Sequence, residues 1–133
     1  MRLNKIYWFF MILYIDTTKG NKIEIALKEG DRVVVRKEFE AKYSQAEKLL
    51  PAVDKMLASK KIKLSDLKAV EIANEGNANT SFTALRIGVV TVNALGYVLG
   101  IPVRGLGGKV RSKRFSQFDV IEPAYNREPN VTL

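Results

Sequence analysis

Apolar residues in the stretch Thr80–Gly100 (TSFTALRIGVVTVNALGYVLG) recur around the whole circumference of a helix rather than along one side of it. At about 100° per residue, Phe82, Leu85, Val89, Val92, Gly96 and Leu99 fall on one face. Thr83, Ile87, Val90, Ala94 and Val98 fall nearly opposite, and only Arg86, Thr91 and Asn93 interrupt the apolar cover. Thr80 is placed to cap the start, and Gly100 followed by Pro102 to end it. A helix that is apolar all round is expected to be buried all round. The pattern leaves open which stripe meets the core and what covers the other. Ala84, Gly88 and Gly96 add small residues along this helix. Because Gly within a helix costs about 1 kcal/mol relative to Ala, they suggest close approach by another backbone, that of a partner.

The remaining elements follow from simpler patterns. Met11 to Thr17 is rich in β-branched and aromatic residues and reads as a buried strand. Lys22 to Lys28 alternates with period two, Glu29-Gly30-Asp31 is a hairpin turn, and Arg32 to Phe39 gives a third strand. Ser44 with Glu47 has the spacing of a capping box. The helix it opens carries one apolar stripe, Ala46, Leu49, Leu50, Val53, Met56 and Leu57. Pro51 either kinks this helix or marks its first regular turn. Ser65-Asp66 turns into a fourth strand, Ala69 to Ala73, and Val103 to Leu106 makes a fifth after the long helix. The order β-β-β-α-β-α-β, with right-handed crossovers, predicts a mixed five-stranded sheet ordered 3-2-1-4-5. This is an α/β fold, the ribonuclease-H-like core shared by actin-like ATPase domains.

Composition narrows the chemistry. The 133 residues, 47% of them hydrophobic, suit one compact domain. The absence of cysteine excludes disulfides, thiolate metal sites and cysteine nucleophiles. The absence of histidine excludes Ser-His-Asp triads and imidazole acid–base chemistry. A net charge of +8 favours anionic partners, though solvated lysines give the same balance. Met1 to Phe10 is expected to be an N-terminal extension, with a membrane-surface anchor through Tyr7, Trp8, Phe9 and Phe10 as the rival reading. The domain proper is expected to span residues 11–106. Residues 107–133 read as a basic tail, in which Lys109, Arg111, Lys113 and Arg114 are either RNA contacts or a solvated linker.

Several segments together resemble the TsaB (YeaZ) family. These are Ile12-Leu-Tyr-Ile-Asp-Thr-Thr18, Tyr43-Ser-Gln-Ala-Glu-Lys-Leu-Leu-Pro51, Leu64-Ser-Asp-Leu67, Ser81-Phe-Thr-Ala-Leu-Arg-Ile-Gly88 and Gly100-Ile-Pro-Val103. The resemblance runs from about Met11 to Gly105, and Ser81 to Gly88 is its most distinctive part. It implies an actin-like fold and a role in making threonylcarbamoyladenosine in tRNA. In that system TsaD carries the metal, nucleotide and transfer chemistry. A TsaB-type subunit is a non-catalytic partner that pairs with TsaD through two helices, the ATPase TsaE docks on the pair, and the setting is cytoplasmic. The sequence departs from the family where Ala78-Asn79-Thr80 replaces Gly-Pro-Gly, where Ala84 stands for glycine, and in carrying a basic tail after Gly105 instead of the family's second domain.

Expected partners are therefore a TsaD-like subunit or a second copy of the chain, TsaE, and tRNA indirectly. No membrane, cofactor, metal or catalytic residue is expected. The expected pairing surface is Leu49, Leu50, Val53, Thr83, Arg86, Ile87, Val90, Asn93, Ala94 and Tyr97. Asp16-Thr17-Thr18 resembles the first phosphate loop of actin-like ATPases. The strongest enzymatic alternative is a ribonuclease-H-like nuclease, with Mg²⁺ held by Asp16, Glu71 or Glu75, and Glu47 or Asp54.

Overall fold

A computed structural model describes residues 10–106, 112–115 and 118–124. Its sheet contains β1 (Met11–Lys19), β2 (Lys22–Glu29), β3 (Arg32–Glu40), β4 (Ala69–Ile72) and β5 (Val103–Gly105) in the order β3-β2-β1-β4-β5. β1 and β2 pair antiparallel, as do β2 and β3; β4 lies parallel to both β1 and β5. The ribonuclease-H-like topology expected from the element order is the one observed. Two helices connect the parallel strands: α1 (Gln45–Ser59) and α2 (Phe82–Leu99). Pro51 lies inside α1, exposed, so the helix neither begins at this proline nor ends there.

Both helices pack on one face of the sheet. Leu13, Ile15, Ile23, Ile25, Leu27, Val70, Ile72 and Val103 meet Leu49, Val53, Met56 and Leu57 of α1 and Leu85, Val89 and Val92 of α2. The stripe of α2 that faces the sheet is thus the one containing Leu85, Val89, Val92 and Gly96. Its glycines face the same way, which corrects the expectation that they open onto a partner. A Cβ on Gly96 would lie 2.5 Å from Val103 Cγ1. One on Gly88 would collide with Thr17 Oγ1 and stand 3.2 Å from Ile72 Cδ1. Ala84 is also buried. The small residues bring α2 down onto its own sheet.

The segment after β5 is more than a tail. β6 (Ser112–Phe115) and β7 (Phe118–Ile121) form an antiparallel hairpin, and β7 packs against α2 and β5. Asn93 fixes it by a two-way bond: its Nδ2 donates to Ile121 O at 2.9 Å, and Ile121 N donates to its Oδ1 at 2.8 Å. Beyond β7, Asn74 Nδ2 donates to Glu122 O, Ala124 N to Asn74 O, and Gly76 N to Ala124 O. Residues 121–124 are thus docked on the fold. The extension and anchor readings of the N-terminus fall, apart from Phe10, outside the described residues, as do Lys109 and Arg111. Lys113 and Arg114 belong to β6, and their side chains also lie outside the description.

The other face of the sheet is polar. Alternation along β1 puts Ile12, Tyr14 and Asp16 there. Glu24 receives Lys19 at 2.5 Å and also Arg36. Glu71 receives Lys28 at 2.6 Å and Arg104 at 2.8 Å. Lys28 also lies 5.8 Å from the centre of the Tyr14 ring. Burial, then the neighbouring Asp16 charge, pushes the Tyr14 phenol well above its ordinary range. Burial also opposes ionisation of Glu24, but the hydrogen bonds and charges of Lys19 and Arg36 outweigh it and hold the carboxyl below its usual 4.5. The hydrogen bond to Glu24 in turn raises the Lys19 ammonium.

These contacts make three predictions. Gly88→Ala should lower unfolding free energy by about 1–3 kcal/mol through overpacking, although alanine is the better helix former, and urea denaturation measures it. Thr17 Oγ1 is the sealed side-chain polar atom without a hydrogen bond among the described residues. Thr17→Val should therefore leave stability unchanged or raise it by about 1 kcal/mol; a clear loss would show that the hydroxyl has a partner. The third concerns pH. A carboxyl depressed in the folded state stabilises above its unfolded pKa, and that contribution is lost as pH falls through the folded value. Stability should accordingly decline on acidification below about pH 4.5, and Glu24→Gln should make the decline shallower; identical slopes in denaturation series at several pH values would contradict the assignment.

Candidate functional site: a helical face without cover

Because the Leu85–Val89–Val92–Gly96 stripe is used by the sheet, the second apolar stripe of α2 points outward. Val90 is 64% exposed, Tyr97 63% and Val98 76%. Thr83, Arg86 and Ala94 are also exposed, and Ile87 is half-buried. Leu50, 48% exposed, extends the apolar surface onto α1, which packs beside α2. No described element lies over this surface. By length and composition α2 could cross a bilayer, yet one side of it is fixed to the sheet core.

The expected pairing residues divide into three groups. Leu50, Thr83, Arg86, Ile87, Val90, Ala94 and Tyr97 lie on or beside the outward face. Leu49 and Val53 do not; each is 1% exposed and belongs to the core under α1. Helical spacing put them on the same stripe as Leu50, but the stripe is wider than the part the sheet covers. Asn93 is not free either, since its amide is committed to Ile121. Val98, the most exposed apolar residue of α2, was visible on the second stripe but stood outside the expected set.

The strand-end carboxylates have local partners. Asp16 Oδ1 accepts from Thr18 N at 2.8 Å and Thr18 Oγ1 at 2.6 Å, and Oδ2 accepts from Tyr14 at 3.3 Å. Thr80 Oγ1 locks the same turn by donating to Thr18 O at 2.8 Å. Thr17 points the other way, under Gly88. The three residues of the expected phosphate loop therefore lie within β1, at the irregularity in its pairing with β2, and their polar groups largely face each other or the core. Glu71 shares a sheet face with Asp16, because it pairs in register with Tyr14. Its carboxylate is nevertheless held by Lys28 and Arg104. Among the described residues no three carboxylates converge in a way that could hold a metal ion.

The family model described as TsaD, tRNA N6-adenosine threonylcarbamoyltransferase, matches residues 39–107, just over half of the chain. No curated protein matches it. Among solved structures, YeaZ from Pseudomonas aeruginosa superposes with a TM-score of 0.64 at 26% identity, covering 76% of this chain and 44% of that one. A second structure, of a protein from the same organism described as similar to peptidase YEAZ, gives the same values. This chain thus spans less than half the length of the YeaZ chains it matches. The matched segment contains both helices, β4 and β5, and so includes the uncovered surface. With its ribonuclease-H-like sheet, its two helices on one face and these similarities, the chain belongs to the TsaD family and resembles its TsaB (YeaZ) members.

Proposed function

We propose that this protein is a non-catalytic partner subunit that acts with a TsaD-type transferase in tRNA threonylcarbamoyladenosine biosynthesis, pairing through its helices. The observation that carries this reading is the outward face of α2, with Val90, Tyr97 and Val98 exposed beside Leu50 of α1. Burying a Val or Leu side chain contributes about 1.5–3 kcal/mol, so three such residues, Val90, Val98 and Leu50, at the centre of a helical interface are a substantial source of affinity. Tyrosine is also a favoured interface anchor. The chemistry of the chain supports a non-catalytic role. It has no histidine or cysteine, and its strand-end carboxylates are engaged by threonine, lysine and arginine.

In this reading the transferase supplies the metal and nucleotide chemistry. tRNA is reached through the complex rather than by this chain alone, TsaE docks on the pair, and the setting is cytoplasmic. A second copy of the chain can occupy the same face when the transferase is absent, because a helix pair related by a two-fold axis presents the same apolar stripe from both sides.

The test is the oligomeric state. Val90→Asp buries a carboxylate without a partner, which costs several kcal/mol, and should weaken pairing by on the order of 100-fold or more. Analytical ultracentrifugation, alone and with the TsaD-type protein of the same cell, should show a dimer or heterodimer for the unaltered chain and monomers for the variant. A chain that stays monomeric at high concentration in both settings overturns the proposal. Co-purification from the native cell, with recovery of the transferase and tRNA, distinguishes the heteromeric pair from the homomeric one.

A further inference from the structure

The start of α1 differs from the start of α2. Ser81 caps α2 by accepting from Ala84 N at 3.2 Å. Ser44 makes no such bond: its hydroxyl donates backwards to Lys42 O, and the first backbone bond of α1 runs from Lys48 N to Ser44 O. The N–H groups of Gln45, Ala46 and Glu47 therefore have no acceptor in the described structure. The expected capping box between Ser44 and Glu47 is not formed. All three residues line a groove of about 540 Å³ between the α1 start, the β1–β2 turn and the α2 start, a size that suits a small organic ligand.

Gln45 provides the independent sign of a ligand. It is only 9% exposed, yet its side-chain amide has no hydrogen-bond partner among the described residues. Nor is that amide sealed, because Thr17 Oγ1 alone among the described residues is both sealed and unpartnered, and Gln45 is one of the residues that line the groove. The groove also holds Lys42, whose ammonium lies 5.1 Å from the centre of the Tyr43 ring. Three free N–H groups at a helix start, an amide donor and an ammonium together favour an oxyanion. Glu47 on the same rim disfavours a doubly charged one, and Tyr43 and Ile87 give the groove an apolar wall.

We infer that this groove binds the carboxylate of a small organic acid with an apolar body, the head group meeting the first turn of α1 and Gln45. The site is complete within one copy of the chain and goes beyond the pairing role. The same binding is therefore expected in Val90→Asp, and failure of pairing leaves it unaffected.

The test is titration of the ¹⁵N-labelled protein with benzoate, acetate and inorganic phosphate at constant ionic strength. Benzoate should shift the amides of Gln45, Ala46 and Glu47 saturably and more tightly than acetate. Gln45→Glu should weaken it at least tenfold, and Lys42→Ala, an exposed change that does not touch the core, several-fold. The absence of saturable shifts at those three amides would overturn the inference. So would phosphate binding more tightly than benzoate, acetate matching benzoate, or affinities unchanged in both variants.

Discussion

The close seating of α2 on the sheet is the constraint from which the rest of the structure follows. Gly88 lies over Thr17 and Gly96 over Val103, at distances where any side chain would collide. With the helix backbone seated this close on strand side chains, Leu85, Val89 and Val92 join the core cluster. The rotation of the helix is then fixed, and with it the direction of Val90, Ala94, Tyr97 and Val98. The same rotation aims Asn93 along the helix flank, where it holds Ile121. A helix with a larger residue at either glycine would have to lift or turn, and both the outward face and the docked hairpin would move with it.

The two faces of the sheet use different physics. On the helix side, cohesion is apolar and close-packed. On the other side, strands that would otherwise expose Ile12 and Ala26 are roofed by long charged side chains: Lys19 and Arg36 around Glu24, Lys28 and Arg104 around Glu71. Buried carboxylates are tolerated only with such partners, since desolvating an isolated charge costs several kcal/mol. This arrangement also bears on function. Lys28 and Arg104 engage Glu71, and Thr18 and Tyr14 engage Asp16, so these chemically suggestive residues of the sequence have structural partners. What stays exposed is the outward face of α2, with Val90 and Val98, and the uncapped start of α1.

Much of this was legible in the sequence. The strand order followed from element order and the handedness of crossovers, and the two stripes of α2 followed from helical spacing. That one stripe would be surplus was also visible, because a five-stranded sheet covers only one side of a helix. The segments resembling TsaB were readable as well, and the Leu-Leu-Pro around Pro51 belonged to them. Asp16, Thr17 and Thr18 lie inside β1, which runs on to Lys19, and the hydrogen bonds of Asp16 to Thr18 were not evident from order alone.

The sequence by itself determined the elements, their order, the excess of apolar surface and the exclusion of histidine and cysteine chemistry, because these depend on periodicity and composition. Tertiary structure decided everything that depends on which atoms meet across long separations. It assigned the glycines to the sheet rather than to a partner, since only the helix–strand distance reveals what a Cβ would strike. It drew Leu49 and Val53 inside while leaving Leu50 out, because stripe width exceeds the covered arc. It docked the β6–β7 hairpin through Asn93, 28 residues from Ile121. And it left the Ser44–Glu47 spacing, which reads as a capping box, as an open helix start, since spacing gives the opportunity for a cap and only side-chain direction makes one.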